Sequence, residues 1–161
     1  MWTKSKSAAL SLICTRVLIV AIIALAIALP FLTNGFSASF YGVSPYAGLL
    51  HEGMVASTLT AVYIIVYACF VPALIALFSL DLLLRNIRKD LVFINANVKS
   101  LRIISWCCFV IAIILLCGIP FFHEILFAGA AAAAFFGLLM RVVKNVIETA
   151  CEIKDENDFT I

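Results

Sequence analysis

The hydropathy pattern of the chain consists of four long apolar stretches separated by short polar segments. The stretches cover about residues 12–32, 54–80, 103–122 and 125–140. A helix needs about 20 mostly apolar residues to cross a bilayer core of roughly 30 Å, and these stretches approach or exceed that length. The sequence lacks the repeated short segments of alternating polarity that a membrane β-barrel needs. The pattern therefore predicts an all-α fold, an integral membrane four-helix bundle made of two helical hairpins in one domain over residues 1–161.

The basic residues are confined to one side of the predicted spans. All 11 Lys and Arg residues lie before or at the start of span one, between spans two and three, or after span four. The positive-inside rule therefore predicts that the N and C termini are cytoplasmic. The loop at 81–102 and the C-terminal helix and tail at 141–161 lie on the same side in this prediction.

The composition supports a chain that is solvated by lipid. Hydrophobic residues make up 65% of the sequence and charged residues 12%, whereas a soluble domain carries about 25% charged residues. The net charge of +2 reflects the membrane topology rather than an affinity for nucleic acid. We therefore expect contact with the lipid bilayer and no direct nucleic-acid binding.

Helices two and four are predicted to extend into the cytoplasm. Apolar residues recur at helical spacing after span four, at Val143, Val146, Ile147, Ala150 and Ile153. Lys144 and Glu148 are placed there for an i,i+4 ion pair. A similar apolar series follows span two, at Leu84, Ile87, Leu91 and Ile94. We expect the two apolar stripes to cover each other, with the remainder available to a partner.

Span four carries small residues at four-residue spacing, Gly129, Ala133 and Gly137. Such a face allows helix backbones to approach closely in lipid, where packing drives association. Packing within the chain is the favoured interpretation of this face. A homo-oligomer interface through the same three residues is the alternative.

Two His-Glu dipeptides precede the returning helices, at His51 and Glu52 and at His123 and Glu124. Imidazole and carboxylate groups are ordinary zinc ligands, so the four residues are candidates for a metal site on the outer face. The favoured interpretation is that each glutamate complements the positive end of a helix. No metal site is favoured, and no cofactor is expected.

The sequence gives little support for catalysis or coupled transport. It contains no G-x-S-x-G, no H-E-x-x-H and no phosphate-binding glycine loop, which would carry hydrolytic or nucleotide chemistry. A transporter places ionisable groups at mid-membrane, whereas Arg16 and Asp81 lie near the inner interface, where mutual pairing suffices. The chain is predicted not to be an enzyme.

Two cytoplasmic segments resemble the DUF2975 family of small four-span bacterial membrane proteins. The segments are "DLVFINANVKSLRIISW", residues 90–106, and the terminal "KDENDFTI", residues 154–161. The matching positions are Phe93, Asn97, Val98, Leu101, Arg102, Glu156, Asn157, Asp158, Phe159, Thr160 and Ile161. Phe159 stands where the family usually has Leu, and Val92 where it has Pro, so the middle loop is expected to turn differently.

The resemblance implies a multi-pass protein of the bacterial cell (inner) membrane, in a family without a settled biochemical activity. Genes of the family commonly sit beside one for a small helix-turn-helix DNA-binding protein. That context implies a non-enzymatic sensor or regulator that binds or sequesters a cytoplasmic transcription regulator. The alternatives are a structural or accessory subunit of a transport or immunity complex and, third, an oligomeric small-molecule transporter.

The candidate site joins the basic middle loop and the acidic tail, either to each other or to a partner protein. An acidic tail opposite a basic loop slightly favours contact within the chain, because opposite charges attract. The residues of this site are Arg85, Arg88, Lys89, Phe93, Asn97, Arg102, Glu156, Asn157, Asp158, Phe159 and Ile161.

Overall fold

The computed structural model describes the backbone of residues 4–43 and 52–158 and the side chains within 9–30, 63–118 and 126–157. These residues form three α-helices and no strand. The helices are α1 (Lys4–Val43), α2 (Glu52–Arg88) and α3 (Asn95–Asp158). They contain four segments long and apolar enough to cross a membrane, Ala9–Pro30, Tyr63–Arg88, Asn95–Gly118 and Leu126–Asn157. The predicted all-α fold with four membrane-spanning segments is confirmed.

Helix α3 folds back on itself and supplies two of the four spans. The Ser105 hydroxyl donates a hydrogen bond to the Gly137 carbonyl at 2.8 Å, although 32 positions separate the two residues. In a straight helix that separation would be about 48 Å, at about 1.5 Å per residue. The chain therefore reverses between Gly118 and Leu126. We call residues 95–118 the first half of α3 and residues 126–158 its second half.

The helices pack mainly against their neighbours in sequence. Helix α2 contacts both α1 and α3, whereas α1 does not approach α3 within the residues that the structure describes. The first half of α3 is the most enclosed span, with 33% of its apolar window buried, against 11% for each of the others. The other spans expose most of their apolar side chains, as expected where lipid replaces water around them.

A tyrosine of α2 compensates for a proline inside α1. Pro30 lies within α1, and proline has no N–H to donate to the carbonyl four residues earlier. That carbonyl belongs to Ala26, and the Tyr67 hydroxyl donates a hydrogen bond to it at 3.0 Å. The hydrogen bond joins α1 to α2 within the apolar part of both helices, where water is not available to satisfy the carbonyl.

Helix α2 ends at Arg88 in a Schellman motif, a reversal closed by two hydrogen bonds. The Leu91 N–H donates to the Asn86 carbonyl and the Asp90 N–H to the Ile87 carbonyl, both at 3.0 Å. Asp90 has a φ of 60°, the left-handed conformation that this motif requires at its turning residue. The predicted helical continuation beyond Arg88 is therefore wrong, and only six residues, 89–94, connect α2 to α3.

The small residues of span four lie toward the first half of α3. Gly137 is buried, and a Cβ added there would lie 3.3 Å from both the Cys108 Cβ and an atom of the Phe109 ring. A Cβ added at Gly129 would lie 3.5 Å from Leu115. These contacts support the interpretation that the small-residue face packs within the chain.

Candidate functional site

The charged side chains gather at one end of the helices, which we call the basic end. Asp81 of α2 is buried. Its carboxylate forms ion pairs with two guanidinium groups, that of Arg16 on α1 at 3.5 Å and that of Arg85, one turn along α2, at 2.6 Å. A buried carboxylate is stable only when it is paired, and two guanidinium groups supply that pairing here. The ion cluster therefore ties α1 to α2 and fixes the orientation of Arg85, one of the predicted site residues.

Asn97 fastens the connection between α2 and α3. Its side-chain amide donates to the carbonyls of Leu91 at 2.7 Å and Val92 at 2.8 Å, while its oxygen accepts from Asn86 at 2.8 Å. Only 1% of the residue is exposed. Because the turn leaves these carbonyls without helical partners, Asn97 replaces the missing backbone bonds. Asn97 therefore holds the connection in one shape, whereas Phe93 within it is exposed.

Arg102 joins the two halves of α3 at the basic end. Its guanidinium group lies 3.2 Å from the Glu148 carboxylate, which also forms the predicted i,i+4 pair with Lys144. Val98 and Leu101, in the first two turns of α3, are buried next to this ion-pair cluster. The first turns of α3 therefore lie alongside the C-terminal part of the same helix.

The C-terminal part of α3, residues 141–158, is helical throughout and has one covered and one exposed side. Cys151 is buried. Val142, Val146 and Ile153 are exposed by 60%, 63% and 55%, and with Thr149 they recur at the spacing of a single helix face. We call these four residues the exposed stripe. Helical geometry gives the segment a length of about 25 Å.

Carboxylates cluster near the end of the helix that carries the exposed stripe. Glu152, Asp155 and Glu156 are exposed there, with Lys154 among them. The segment therefore presents an apolar face next to net negative charge. Asn157 is exposed as well. The contact between this tail and the middle loop stays a prediction, because its last residues, Phe159 and Ile161, and the side chain of Asp158 lie outside the described part of the chain.

Two grooves at the basic end are lined mostly by cations. The first groove, about 190 Å³, lies between the halves of α3 and is lined by Arg102, Ser105, Trp106, Arg141 and Lys144. The second groove, about 380 Å³, lies between α1 and α2 and is lined by Leu12, Arg16, Arg85, Arg88 and Lys89. Three of the predicted site residues, Arg85, Arg88 and Lys89, thus come together in one groove.

The proposed outer metal ligands cannot be located in the structure. His51 lies outside the described residues, as do the side chains of Glu52, His123 and Glu124. Within the described part of the chain, no three His, Cys, Asp or Glu side chains are grouped as metal ligands would be.

Sequence reasoning missed the first groove. Neither Trp106 nor Arg141 is among the predicted site residues. The Arg141 guanidinium carbon lies 5.9 Å from the centre of the Trp106 ring, within the range of a cation–π contact. The antiparallel register of spans three and four, with both residues at the basic end, is the signal that predicts this contact.

The comparisons with known proteins identify a family and one relative. The family model described as "Protein of unknown function (DUF2975)" matches residues 7–161. The uncharacterized membrane protein YoaS of Bacillus subtilis (strain 168) is 29% identical over 116 residues, which cover 62% of this chain and 70% of that protein. No solved structure matches the chain. The family match covers nearly the whole chain, including both segments that carry the resemblance, and the chain therefore belongs to the DUF2975 family.

Proposed function

We propose that the chain is a non-enzymatic protein of the bacterial cell membrane that holds a cytoplasmic partner on the exposed stripe of α3. In this proposal both termini and the basic end face the cytoplasm, as the distribution of basic residues predicts. With the membrane boundaries predicted at residues 103 and 140, the segment 141–158 stands in water. The exposure of Val142, Val146 and Ile153 is the observation that carries the proposal. With the predicted boundary at residue 140, these apolar side chains face water rather than lipid.

The charge beside the stripe favours a basic partner. The end of the helix carries three carboxylates, Glu152, Asp155 and Glu156, and one cation, Lys154, so its net charge is negative. Complementary charge on a partner speeds and orients association. A small helix-turn-helix regulator fits this chemistry, because a protein that binds DNA carries a basic surface. Occupying that surface with carboxylates would also compete with DNA, so membrane capture would withdraw the regulator from its operator. The family's gene context supports the same class of partner.

The test compares two variants of the full-length protein in native membranes. Val146→Asp combined with Ile153→Asp places charges in the exposed stripe, where neither side chain supports the fold. The matched control, Asn145→Asp, adds a charge at an exposed position next to the stripe. Proteins retained by each form are identified by mass spectrometry, and the complex is then rebuilt from the purified regulator and membrane protein.

The wild type and Asn145→Asp should both retain the regulator, and Asn145→Asp should bind it at least as tightly, because it adds a carboxylate beside the stripe. The double variant should bind it at least about tenfold more weakly, because burying each aliphatic side chain contributes roughly 1.5–3 kcal/mol. Equal binding by the double variant would refute the proposal. Retention of membrane subunits alone, with no regulator, would support the accessory-subunit alternative instead.

A further inference from the structure

The first groove at the basic end carries more positive charge than its own residues neutralise. Arg102, Arg141 and Lys144 line it, and Glu148 is the only carboxylate paired with any of them among the described residues. Three cations against one carboxylate leave a formal charge of +2. Arg141 contacts the Trp106 ring, and it pairs with no carboxylate among the described side chains. The groove is therefore built to receive an anion.

The groove has room for a phosphate group and presents suitable donors. Its volume of about 190 Å³ corresponds to about six water molecules at roughly 30 Å³ each. Ser105 donates its hydroxyl hydrogen to the Gly137 carbonyl, so the donors that point to a bound anion are the guanidinium and ammonium groups. Arginine in particular bonds phosphate oxygens in pairs.

The surroundings of the groove match a lipid rather than a soluble anion. Trp106 is 59% exposed at the basic end of its span, which is the position of aromatic residues at the headgroup level. Val110 and Leu138 are exposed one helical turn deeper, on the faces of Trp106 and Arg141 respectively. The groove therefore adjoins an apolar surface that can contact the acyl chains of a lipid whose anionic group lies in the groove.

We propose that the first groove binds the phosphate group of an anionic phospholipid such as phosphatidylglycerol. The phosphate is held by Arg102, Arg141 and Lys144, and the acyl chains lie along Val110 and Leu138. Basic sites between spans at the membrane surface are typical of lipids with anionic headgroups. The second groove is a weaker candidate, because no aromatic residue among those described lines it at the headgroup level.

The test uses Trp106 as the reporter. The chain has two tryptophans, so a Trp2→Phe background leaves Trp106 as the only one. The full-length protein is placed in phosphatidylcholine nanodiscs that contain a minor fraction of phosphatidylglycerol, with bromine on the acyl chains of one lipid or the other. Quenching of Trp106 by each brominated lipid then gives the binding of phosphatidylglycerol relative to phosphatidylcholine at the groove.

Phosphatidylglycerol should be preferred in the starting protein. Arg141→Gln and Lys144→Gln should each lower that preference by about fivefold, the effect of one basic residue near an anionic surface. Glu148→Gln should raise it, because the variant removes the one carboxylate among the described residues that pairs with these cations. An effect of opposite sign separates a binding site from general damage to the fold. Lys99→Gln, which removes an exposed cation outside both grooves, should change nothing.

Four results would overturn the proposal. The preference for phosphatidylglycerol could survive in the Arg141→Gln and Lys144→Gln variants, or fall equally in Lys99→Gln, which would mean a general surface charge. It could fall only in Arg88→Gln, which would place the lipid in the second groove. Finally, inorganic phosphate at constant ionic strength could abolish the quenching by phosphatidylglycerol, which would assign the groove to a soluble phosphate.

Discussion

Asn97 should contribute more to the stability of the fold than any other single polar side chain of the α2–α3 connection. Asn97→Ala removes three hydrogen bonds of 2.7–2.8 Å, made with Asn86, Leu91 and Val92. At about 1 kcal/mol net for each bond, the loss is about 3 kcal/mol. The higher helix propensity of alanine offsets about 0.5 kcal/mol of it. The expected decrease in the free energy of unfolding is therefore about 2.5 kcal/mol.

The measurement is reversible unfolding by sodium dodecyl sulfate in mixed micelles, followed by circular dichroism. Asn97→Ala should shift the midpoint without changing the slope, which would indicate a change of stability alone. Asn95→Ala is the matched control, because Asn95 is exposed two positions away. The control should stay within about 0.5 kcal/mol of the wild type.

The connection itself supplies a second readout for the same variant. Amide hydrogen exchange in residues 89–94 should accelerate in Asn97→Ala, because the carbonyls of that segment lose the side chain that holds them. Exchange reports local opening separately from global unfolding. A destabilisation below about 1 kcal/mol, together with unchanged exchange in this segment, would refute the structural role given to Asn97.

Four further substitutions test the structure of the helices by the same titration. Asp90→Gly should raise the free energy of unfolding by about 1 kcal/mol, because a left-handed residue other than glycine is strained; a decrease would contradict the Schellman motif. Tyr67→Phe should lower the free energy of unfolding by about 0.6 kcal/mol, the average for a hydrogen bond between membrane helices, because the Ala26 carbonyl loses its donor. An unchanged free energy would show that this carbonyl finds another donor. Gly137→Ala should lower the free energy of unfolding by about 1–3 kcal/mol through overpacking, whereas Gly129→Ala should be tolerated. Equal effects would contradict the closer packing at Gly137, where an added Cβ has a neighbour at 3.3 Å rather than 3.5 Å.

Local periodicity predicted most of the helical architecture, because the apolar residues that define each span are consecutive in the sequence. The four apolar stretches and the Lys144–Glu148 pair depend on residues close in sequence, and both were found. The end of α2 was not predicted, because the apolar spacing continues to Leu91 and Ile94 past the point where the backbone turns. That turn depends on the left-handed conformation of Asp90, and aspartate adopts this conformation less readily than glycine.

The candidate site was predicted only in part, because it depends on the register between helices. Charge placed Arg85, Arg88 and Lys89 at one end of the molecule, and the structure gathers them in a groove. Asn97 was assigned to a contact surface, yet the structure shows it buried beneath the connection. Composition does not distinguish a buried asparagine from an exposed one, since the difference lies in carbonyls that only the folded turn presents.

The packing of α1 against α2, without contact to α3 in the described residues, has a consequence for biosynthesis. The contacts that hold α1, namely Arg16 with Asp81 and Tyr67 with Ala26, are complete once the second span has entered the bilayer. The hairpin of α3 closes on itself afterwards, through Ser105 and Gly137. Each hairpin can therefore assemble as the ribosome delivers it, and contacts between sequence neighbours favour rapid folding.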